Sequence, residues 1–389
     1  MSQVRYWLPL FLTLASPAGL LQAADVFRYS NARHGKGELT HINGLPVLIL
    51  QGTPEEMGEQ AAVLTDRALR QLLPFPRELL RHQGLEFTWS VVLALSKSLE
   101  SRIPLCYLRE IDALVKKSGV ERDLAIMGNT FRDISKVGAC SSLIVGTRRS
   151  AVGGPLLGRN FDYYTLGRLH HYSLVTVYQP RGKKAFASIG FPGLIGCLSG
   201  INEDGLALAV HEVLSAGDRS VKLDLAGSPY ALCFRRVLEE CATVKAAEEL
   251  LRSVKRTTML NLAVCDRGSG AVFEITPKNL VVRQGEDGIC SCTNHLCSKE
   301  LRTGVKCWRL PLLEESRRLE KLALAEVARK LDAVNLGGAT LQTMIFEPKT
   351  LTLHLAIGAC PSSALPLKEL RLGPLFKKGI SPDRGTSVK

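Results

Sequence analysis

The chain has 389 residues, of which 46% are hydrophobic and 22% are charged, values typical of ordinary globular proteins. Its formal net charge is +13, but the basic residues occur as scattered pairs such as Arg148-Arg149 and Lys183-Lys184, without the stripe or cluster of a nucleic-acid-binding surface. We therefore expect a globular protein without a nucleic-acid partner, built as one large domain or two ordinary ones.

The N-terminus has the layout of a secretory signal peptide. Arg5 precedes an apolar run over residues 6–21, and the small residues Ala23-Ala24 follow. This pattern predicts a signal peptide over residues 1–24, cleaved after Ala23 or Ala24, and hence a secreted or periplasmic protein. An uncleaved membrane anchor is the alternative, but the interruption at Ser16-Pro17 favours removal.

The chain contains eleven cysteines. In an exported protein an odd number suggests disulfides together with one thiol that is kept free for chemistry. Cys140 is our candidate for that thiol, and the pairing of the others cannot be deduced from the sequence.

Residues 25–139 are predicted to be mostly helical. A buried strand over 45–50 leads into Thr53-Pro54-Glu55-Glu56, which combines an N-cap, a proline at the first helical position and a capping-box glutamate. Apolar residues then recur at helical spacing until Pro74 ends the element. Further helices are predicted over 89–99, 107–117 and 123–134.

From Cys140 onward the apolar residues follow the period of strands. A strand beginning at Cys140, a turn at Gly153-Gly154-Pro155 and a second strand through Arg159 predict a hairpin. Because opposite positions of a hairpin lie about 5 Å apart, we expect Arg159 and Asp162 to lie close to the Cys140 sulfur.

The rest of the chain alternates strands and helices. The predicted strands cover 172–178, 185–191, 195–201, 206–213, 260–265, 271–275, 280–283 and a last pair around 344 and 351–357, and the predicted helices cover 230–241, 244–254 and about 311–331. Runs of strands flanked by helices predict a layered α+β fold. The tail after Lys377 is expected to be loose.

Several motifs in this order resemble a known family, the acyl-coenzyme A:6-aminopenicillanic acid acyltransferases (isopenicillin N acyltransferases) of the N-terminal nucleophile (Ntn) cysteine hydrolases. A more distant likeness is to choloylglycine (bile salt) hydrolases and acid ceramidase. The motifs are Leu48-Ile49-Leu50-Gln51-Gly52-Thr53-Pro54, the Cys140 hairpin, Gly200-Ile201-Asn202-Glu203-Asp204-Gly205-Leu206, Thr293-Asn294-His295 and Ser316-Arg317-Arg318. The resemblance implies an αββα sandwich of two antiparallel sheets between helix layers, formed jointly by residues 25–139 and the catalytic part, 140–389.

The resemblance also implies that a precursor cuts itself just before Cys140. The new N-terminal amine, with a pKa of about 7.7–8.0, would take the thiol proton, so that one residue is both nucleophile and base. Arg159 would favour the thiolate, and Asp162 would accept a hydrogen bond from the amine and orient it. Ala139 departs from the glycine usual before the nucleophile, and its side chain makes the strained peptide needed for an N-to-S acyl shift harder to reach.

Three further residues receive roles by the same resemblance. Asn294 would point its amide at the developing oxyanion, where one such donor is typically worth about 2.7–4 kcal/mol. His211 stands near the position where relatives have an asparagine that helps the oxyanion hole, and a neutral imidazole donates similarly. Arg317 would pair with Asp162 or bind substrate.

The implied reaction is cleavage of a linear N-acyl amide through a thioester on Cys140, with water, acyl-coenzyme A or an amine involved as donor or acceptor. We expect no cofactor and no metal, because the nucleophile, base and oxyanion donors are all protein groups. The acyl group, the acceptor and the oligomeric state stay open.

Two other interpretations compete with this one. A papain-like thiol hydrolase without autocleavage would use Cys140 with His211 or His295 as base and Asn294 as orienter, but it gives no role to Arg159 and Asp162. A secreted non-catalytic binding protein would use Cys290, Cys292, His295 and Cys297 as a structural zinc site, for which the spacing is irregular.

Overall fold

The computed structural model describes residues 26–377. The predicted signal peptide, 1–24, and the tail after Lys377 lie outside these residues. Within the described range, none of the helices combines the length and the apolar character required to cross a membrane.

Ten helices are present in the described residues, and short 3-10 turns connect several of them. They are α1 (Pro54–Leu72), α2 (Phe75–His82), α3 (Trp89–Glu100), α4 (Leu105–Ser118), α5 (Arg122–Ile134), α6 (Tyr230–Glu240), α7 (Val244–Ser253), α8 (Arg309–Glu314), α9 (Leu324–Asp332) and α10 (Gly373–Lys377). The predicted start of α1 is confirmed, since the Thr53 side chain accepts from Glu56 N and the Glu56 carboxylate accepts from Thr53 N.

Sixteen strands form two sheets in the same part of the chain. They are β1 (Ala32–His34), β2 (Gly37–Ile42), β3 (Leu45–Gly52), β4 (Ala139–Val145), β5 (Leu156–Asp162), β6 (Leu174–Pro180), β7 (Phe186–Gly190), β8 (Ser199–Asn202), β9 (Ala207–Glu212), β10 (Leu260–Cys265), β11 (Gly270–Ile275), β12 (Leu280–Gln284), β13 (Ile289–Cys292), β14 (Thr340–Glu347), β15 (Thr352–Ile357) and β16 (Lys368–Arg371).

The larger sheet has ten strands in the order β1-β2-β3-β6-β7-β8-β9-β10-β11-β12, and the smaller has six in the order β13-β4-β5-β14-β15-β16. All pairings are antiparallel except that of β3 with β6, which is parallel. Strand β3 of the N-terminal segment thus lies inside the larger sheet and hydrogen-bonds to the part of the chain that follows Cys140.

Three hydrophobic cores separate four layers. Alternate residues of both sheets, such as Val177 of β6 and Leu157 of β5, pack face to face in the central core. The other face of the larger sheet packs against α1, α2 and the helices that follow it, and the other face of the smaller sheet packs against Leu313 of α8 and Val327 of α9. The expected αββα layering is confirmed.

The structure differs from the sequence predictions at several elements. Residues 25–139 are mostly helical and contain the predicted strand, β3, but they also contain strands β1 and β2 and helix α2, which were not predicted. The helix predicted over 311–331 is broken between α8 and α9, because Leu322 forms a bridge with the chain at Ser150 and exchanges backbone hydrogen bonds with its neighbours. All eleven cysteines are unpaired, so the expected disulfides are absent from the described chain, which contains every cysteine.

Candidate active site

The hairpin of β4 and β5 brings Arg159 to the Cys140 sulfur. In the antiparallel register Cys140 lies opposite Phe161 and Ser142 lies opposite Arg159, so all four side chains share the face toward the other sheet. Arg159 Nη2 donates to Cys140 Sγ at 3.2 Å, and Nη1 donates to Leu198 O at 2.8 Å. Both Cys140 and Arg159 are buried. The predicted proximity of guanidinium and thiol is therefore confirmed.

Strand β13 brings Asn294 to the backbone nitrogen of Cys140. Cys292 pairs with Ser142, so the chain that continues beyond β13 runs alongside the start of β4. Asn294 Oδ1 accepts from Cys140 N at 2.8 Å, and Asn294 Nδ2 donates to Glu212 O at 2.8 Å. A donor on one side and an acceptor on the other fix the amide orientation. Asn294 thus holds the Cys140 nitrogen, and its oxyanion role stays a prediction.

Asp162 lies at the end of β5 and is fully buried. Its carboxylate accepts from Thr340 Oγ1 at 2.5 Å and from Arg309 Nη1 at 3.3 Å. Burial raises the pKa of Asp162 to about 6, while Arg309 and the Thr340 hydroxyl act in the opposite direction. Cys140 N donates its hydrogen bond to Asn294 and not, as predicted, to Asp162. Asp162 is connected to Cys140 through Arg309, which contacts both residues.

Arg309, at the start of α8, is a site residue that the sequence reasoning missed. Its Nη1 also donates to Cys140 O at 3.1 Å, and its Nη2 donates to Asn294 Oδ1 at 2.8 Å. The Arg309 side chain is only 6% exposed, so these contacts form the main environment of its cation. The one sequence signal for Arg309 is its position just before the predicted charged helix.

The predicted pairing of Arg317 with Asp162 is wrong. Arg317 instead forms ion pairs with Glu286 at 3.1 Å and Glu314 at 3.3 Å. Helix α8 ends at Glu314, before Arg317, and Arg309 at the beginning of α8 is the arginine that faces Asp162.

His211 lies on β9 between the two sheets. Its Nε2 is hydrogen-bonded to Ser142 Oγ at 2.8 Å, and its Nδ1 lies 3.3 Å from Cys292 Sγ. Burial, reinforced by the charge of Arg159, lowers the pKa of His211 well below its usual value, so the ring is neutral. Within residues 26–377 neither His211 nor His295 hydrogen-bonds to the Cys140 thiol, which removes the base that a papain-like mechanism requires.

The segment just before Cys140 is held by a buried polar cluster. Glu212 Oε2 accepts from Gly138 N at 3.0 Å, and Glu212 Oε1 lies 2.8 Å from Arg132 and accepts from Tyr230 Oη at 3.1 Å. A side chain on Gly138 would come within 2.9 Å of Arg132 and 3.2 Å of Glu212. The peptide that precedes Cys140 is therefore closely enclosed.

Buried charges around Cys140 do not balance while the thiol is neutral. In the described chain, the cations of Arg132, Arg159 and Arg309 face the carboxylates of Asp162 and Glu212. Burial raises the pKa of the Cys140 thiol, and the guanidinium of Arg159 opposes this rise. The surrounding cations attract a thiolate, but burial outweighs this attraction and the pKa of the thiol stays raised.

An open cleft lies beside Phe161, the strand partner of Cys140. Its walls are almost entirely apolar and come from α1, α2 and α5 on one side and from Phe161, Leu194 and Leu198 on the other. Phe161 is the strand partner of Cys140, and the Leu198 carbonyl accepts from Arg159. The Arg132 guanidinium lies over the rings of Phe161 and Tyr163, at 5.1 and 4.6 Å from their centroids.

The cysteine-rich stretch after β12 does not form a metal centre. Cys290 lies beside Arg283, Cys292 beside His211 and Cys297 beside His295. No group of three or more potential metal ligands converges anywhere in residues 26–377. The zinc interpretation therefore has no geometric support in the described part of the chain.

The model of the family described as acyl-coenzyme A:6-aminopenicillanic acid acyl-transferase matches residues 150–325. The match begins downstream of Cys140 and includes Arg159, Asp162, Asn294 and Arg309. It confirms the resemblance read from the sequence motifs. No curated protein matches the chain.

Solved structures of low sequence identity are also similar to this chain. A mutant of the conjugated bile acid hydrolase from Clostridium perfringens is 16% identical, with 60% of this chain and 93% of that chain covered and a TM-score of 0.43. A Caenorhabditis elegans N-acylethanolamine-hydrolyzing acid amidase ortholog is 18% identical, with 54% and 93% covered and a TM-score of 0.44. Penicillin V acylase from Agrobacterium tumefaciens is 14% identical, with 56% and 82% covered and a TM-score of 0.36.

Proposed function

We propose, from the match of residues 150–325 to the model of the acyl-coenzyme A:6-aminopenicillanic acid acyl-transferase family, that the protein is an Ntn-type amide hydrolase or acyltransferase with Cys140 as its nucleophile. The family supports amide cleavage or acyl transfer as the reaction class. The identity of the nucleophile, the self-cleavage and the export of the protein are finer parts of the proposal.

One observation carries the proposal. Three side chains from three different elements contact the sulfur, the nitrogen and the carbonyl oxygen of the same residue, Cys140: Arg159 at 3.2 Å, Asn294 at 2.8 Å and Arg309 at 3.1 Å. A structural cysteine needs only apolar neighbours. Polar contacts to every heteroatom are what a residue requires when its backbone and side chain both react.

Activation begins with attack of Cys140 Sγ on the carbonyl carbon of Ala139. The C–N bond breaks, the thiol proton goes to the departing nitrogen, and a thioester joins Ala139 to Cys140. Water then hydrolyses the thioester, releasing the Ala139 carboxylate and leaving Cys140 with a free amine and thiol. The contacts of Glu212 with Gly138 and of Asn294 with Cys140 hold both sides of the scissile bond.

Turnover repeats the same chemistry on an external amide. The Cys140 amine, with an ordinary pKa of about 7.7–8.0, takes the thiol proton and later gives it to the leaving nitrogen. Arg159 stabilises the thiolate, Asn294 accepts from the amine, and Arg309 keeps Asp162 and Asn294 in place. The acyl group stays on sulfur until water or an amine removes it.

The apolar cleft beside Phe161 supports an N-acyl amide with an apolar acyl group as the substrate. A buried apolar wall stabilises hydrocarbon or aromatic groups by excluding water from them. Acyl-coenzyme A or an amine is the acyl donor or acceptor in the transferase form of the reaction.

Mass-spectrometric trapping of the acyl intermediate tests the proposal. Purified protein is mixed with a panel of N-acyl amides and β-lactam side-chain donors, quenched with acid and digested, and an acyl adduct is expected on Cys140. Cys290→Ala, a buried cysteine outside the site, should retain the adduct. Absence of any adduct on Cys140, together with full activity of Cys140→Ala, would exclude Cys140 as the nucleophile.

Export is a separate part of the proposal and rests on the N-terminal sequence alone. N-terminal sequencing of protein recovered outside the cytoplasm should begin after Ala23 or Ala24. Retention of Met1 in a protein confined to the cytoplasm would contradict it.

A further inference from the structure

Helix α5 has a glycine at its centre, Gly128, for which the fold offers no reason. Glycine in a helix interior destabilises the helix relative to alanine. A Cβ built on Gly128 meets no atom within 4 Å, and its backbone is not in the left-handed region. Other glycines do have reasons: in α1, a Cβ on Gly58 would lie 2.2 Å from Glu110 O, and Gly193 has a φ of +82°.

The open space at Gly128 is the apolar cleft beside Phe161. Gly128 lines this cleft together with Leu124, Ala125, Phe131 and Arg132. Their spacing along α5 places them on one face of the helix, with Gly128 in the middle. Larger side chains therefore stand one turn before and one turn after a gap in the cleft wall.

The helix cannot move inward to close this gap. Asn129, the next residue, accepts from Ile195 N at 2.9 Å and donates to Gly193 O at 2.9 Å, which ties α5 to the opposite wall of the cleft. Thr130 is hydrogen-bonded to Ser96 of α3 at 2.8 Å. Since α5 is fixed on both sides, the residue at 128 sets the width of the cleft at this point.

We propose that Gly128 is a specificity-determining residue that keeps the cleft wide enough for a bulky apolar acyl group. The inference rests on the proposed function, in which the acyl carbonyl lies at Cys140 Sγ. The acyl chain then passes Phe161 and Leu198 and reaches the face of α5. The N-terminal segment, which lacks the nucleophile, thereby selects the substrate.

Two substitutions test this role, Gly128→Ala through the melting temperature and Gly128→Leu through substrate specificity. Gly128→Ala should raise the melting temperature by about 1–2 °C, because alanine favours the helix. Gly128→Leu should lower the ratio of kcat/KM for hexadecanoyl over butanoyl amides by about ten-fold or more, because one added methylene in an apolar pocket already changes discrimination by such a factor. A structural role alone would lower stability and affect both amides equally.

Gly268→Ala is the matched control. Gly268 lies in the exposed turn between β10 and β11, where a Cβ meets only Asp266 at 3.8 Å. This variant should leave the ratio of the two amides unchanged. An unchanged ratio in Gly128→Leu, with a folded and active protein, would overturn the proposal.

A binding measurement separates failure of this inference from failure of the proposed function. Hexadecanoate and butanoate are titrated calorimetrically into Cys140→Ala and into Cys140→Ala carrying Gly128→Leu. Hexadecanoate binding should weaken about ten-fold in the second protein, with no turnover required. Loss of this difference overturns the role of Gly128, whereas a wild type without amide hydrolysis but with the binding difference would overturn only the enzymatic function.

Discussion

Arg309 is the residue on which the geometry of the site depends most. It contacts Cys140 O, Asn294 Oδ1 and the Asp162 carboxylate at the same time. Its removal deprives the buried Asp162 carboxylate of its ion-pair partner and Asn294 Oδ1 of one of its two donors. Both effects disturb the Cys140 nitrogen, which is the proposed base.

We therefore expect Arg309→Gln to lower kcat by roughly 10²-fold, the usual cost of losing one positioned donor in an active site. Steady-state kinetics on an N-acyl amide measures the effect. Arg317→Gln is the matched control, since Arg317 pairs with Glu286 and Glu314 away from Cys140. Equal losses in the two variants would show that Arg309 has no special role.

The acid side of the pH profile should report two ionisations, that of the Cys140 amine, with an ordinary pKa of about 7.7–8.0, and at lower pH that of Asp162. Its pKa is raised to about 6 by burial, so the carboxylate is lost as the pH falls through about 6, and turnover should fall with it. Arg309 holds this pKa down, so Arg309→Gln should move the acid limb of the pH profile to higher pH. The measurement is kcat across about pH 4–8, the range of the carboxyl titration. If the acid limb of Arg309→Gln stays where it is in the wild type, a group other than Asp162 controls that limb.

At the residue scale, the hairpin pattern predicted the groups that two neighbouring strands bring together, and the family resemblance added Asn294, but Arg309 and Thr340 were missed. Arg159 and Cys140 are neighbours because two strands of one hairpin fix their register. Arg309 and Thr340 reach Asp162 from α8 and β14, whose positions depend on packing between layers. Local patterns carry no information on such packing, so Arg317 was chosen in place of Arg309.

At the element scale, helix α4 of the N-terminal segment is attached to helix α6 by a buried ion pair. Arg235 binds Glu110 of α4 at 2.7 Å and Glu239 of its own helix at 2.8 Å, with side chains 1% exposed. Lys183 also pairs with Glu239, so two cations face two carboxylates. Tyr107 donates to Glu239 at 2.7 Å and completes the cluster.

Breaking this buried pair should be costly, because one partner is left charged and without solvent. We expect Glu110→Gln to lower the free energy of unfolding by about 3 kcal/mol or more. Glu249→Gln, which breaks the exposed pair with Lys245 on α7, should change it by about 0.5 kcal/mol or less. Urea unfolding in the Cys140→Ala background, where the chain should stay intact, compares the two. Similar values would mean that the buried pair does not fasten α4 to α6.

The difference between local and long-range contacts also explains which elements the sequence predicted. Helix α1 was predicted from its first residue because the Thr53 cap is a local signal. The break between α8 and α9 was missed, because Leu322 leaves helical structure to bridge with Ser150, far away in sequence. Strands β1, β13 and β16 were also missed; they have three or four residues and lie at sheet edges, where alternation of apolar residues is weak. Strand β2 was missed as well, although it has six residues and lies between β1 and β3.

For the whole molecule, the parallel pairing of β3 with β6 joins the segment before Cys140 to the segment after it within one sheet. The helices of the N-terminal segment share a hydrophobic core with β9 and β10, to which Met127 and Val210 both contribute. Such a core cannot be divided without exposing a large apolar area. A cut before Cys140 should therefore leave two fragments in one folded particle.

We accordingly expect mature protein to consist of fragments 25–139 and 140–389 that separate only on denaturation. Intact mass under denaturing conditions should give two chains, and native mass one complex, whereas Cys140→Ala should remain a single chain. Ala139→Gly should speed the cleavage, because the strained peptide conformation is reached more easily without a Cβ. Wild-type protein that stays uncut and yet hydrolyses amides would show that the Cys140 amine is not the base. Since His211 is hydrogen-bonded to Ser142 and Cys292, the thiol proton would then have to go to a group other than the Cys140 amine and His211.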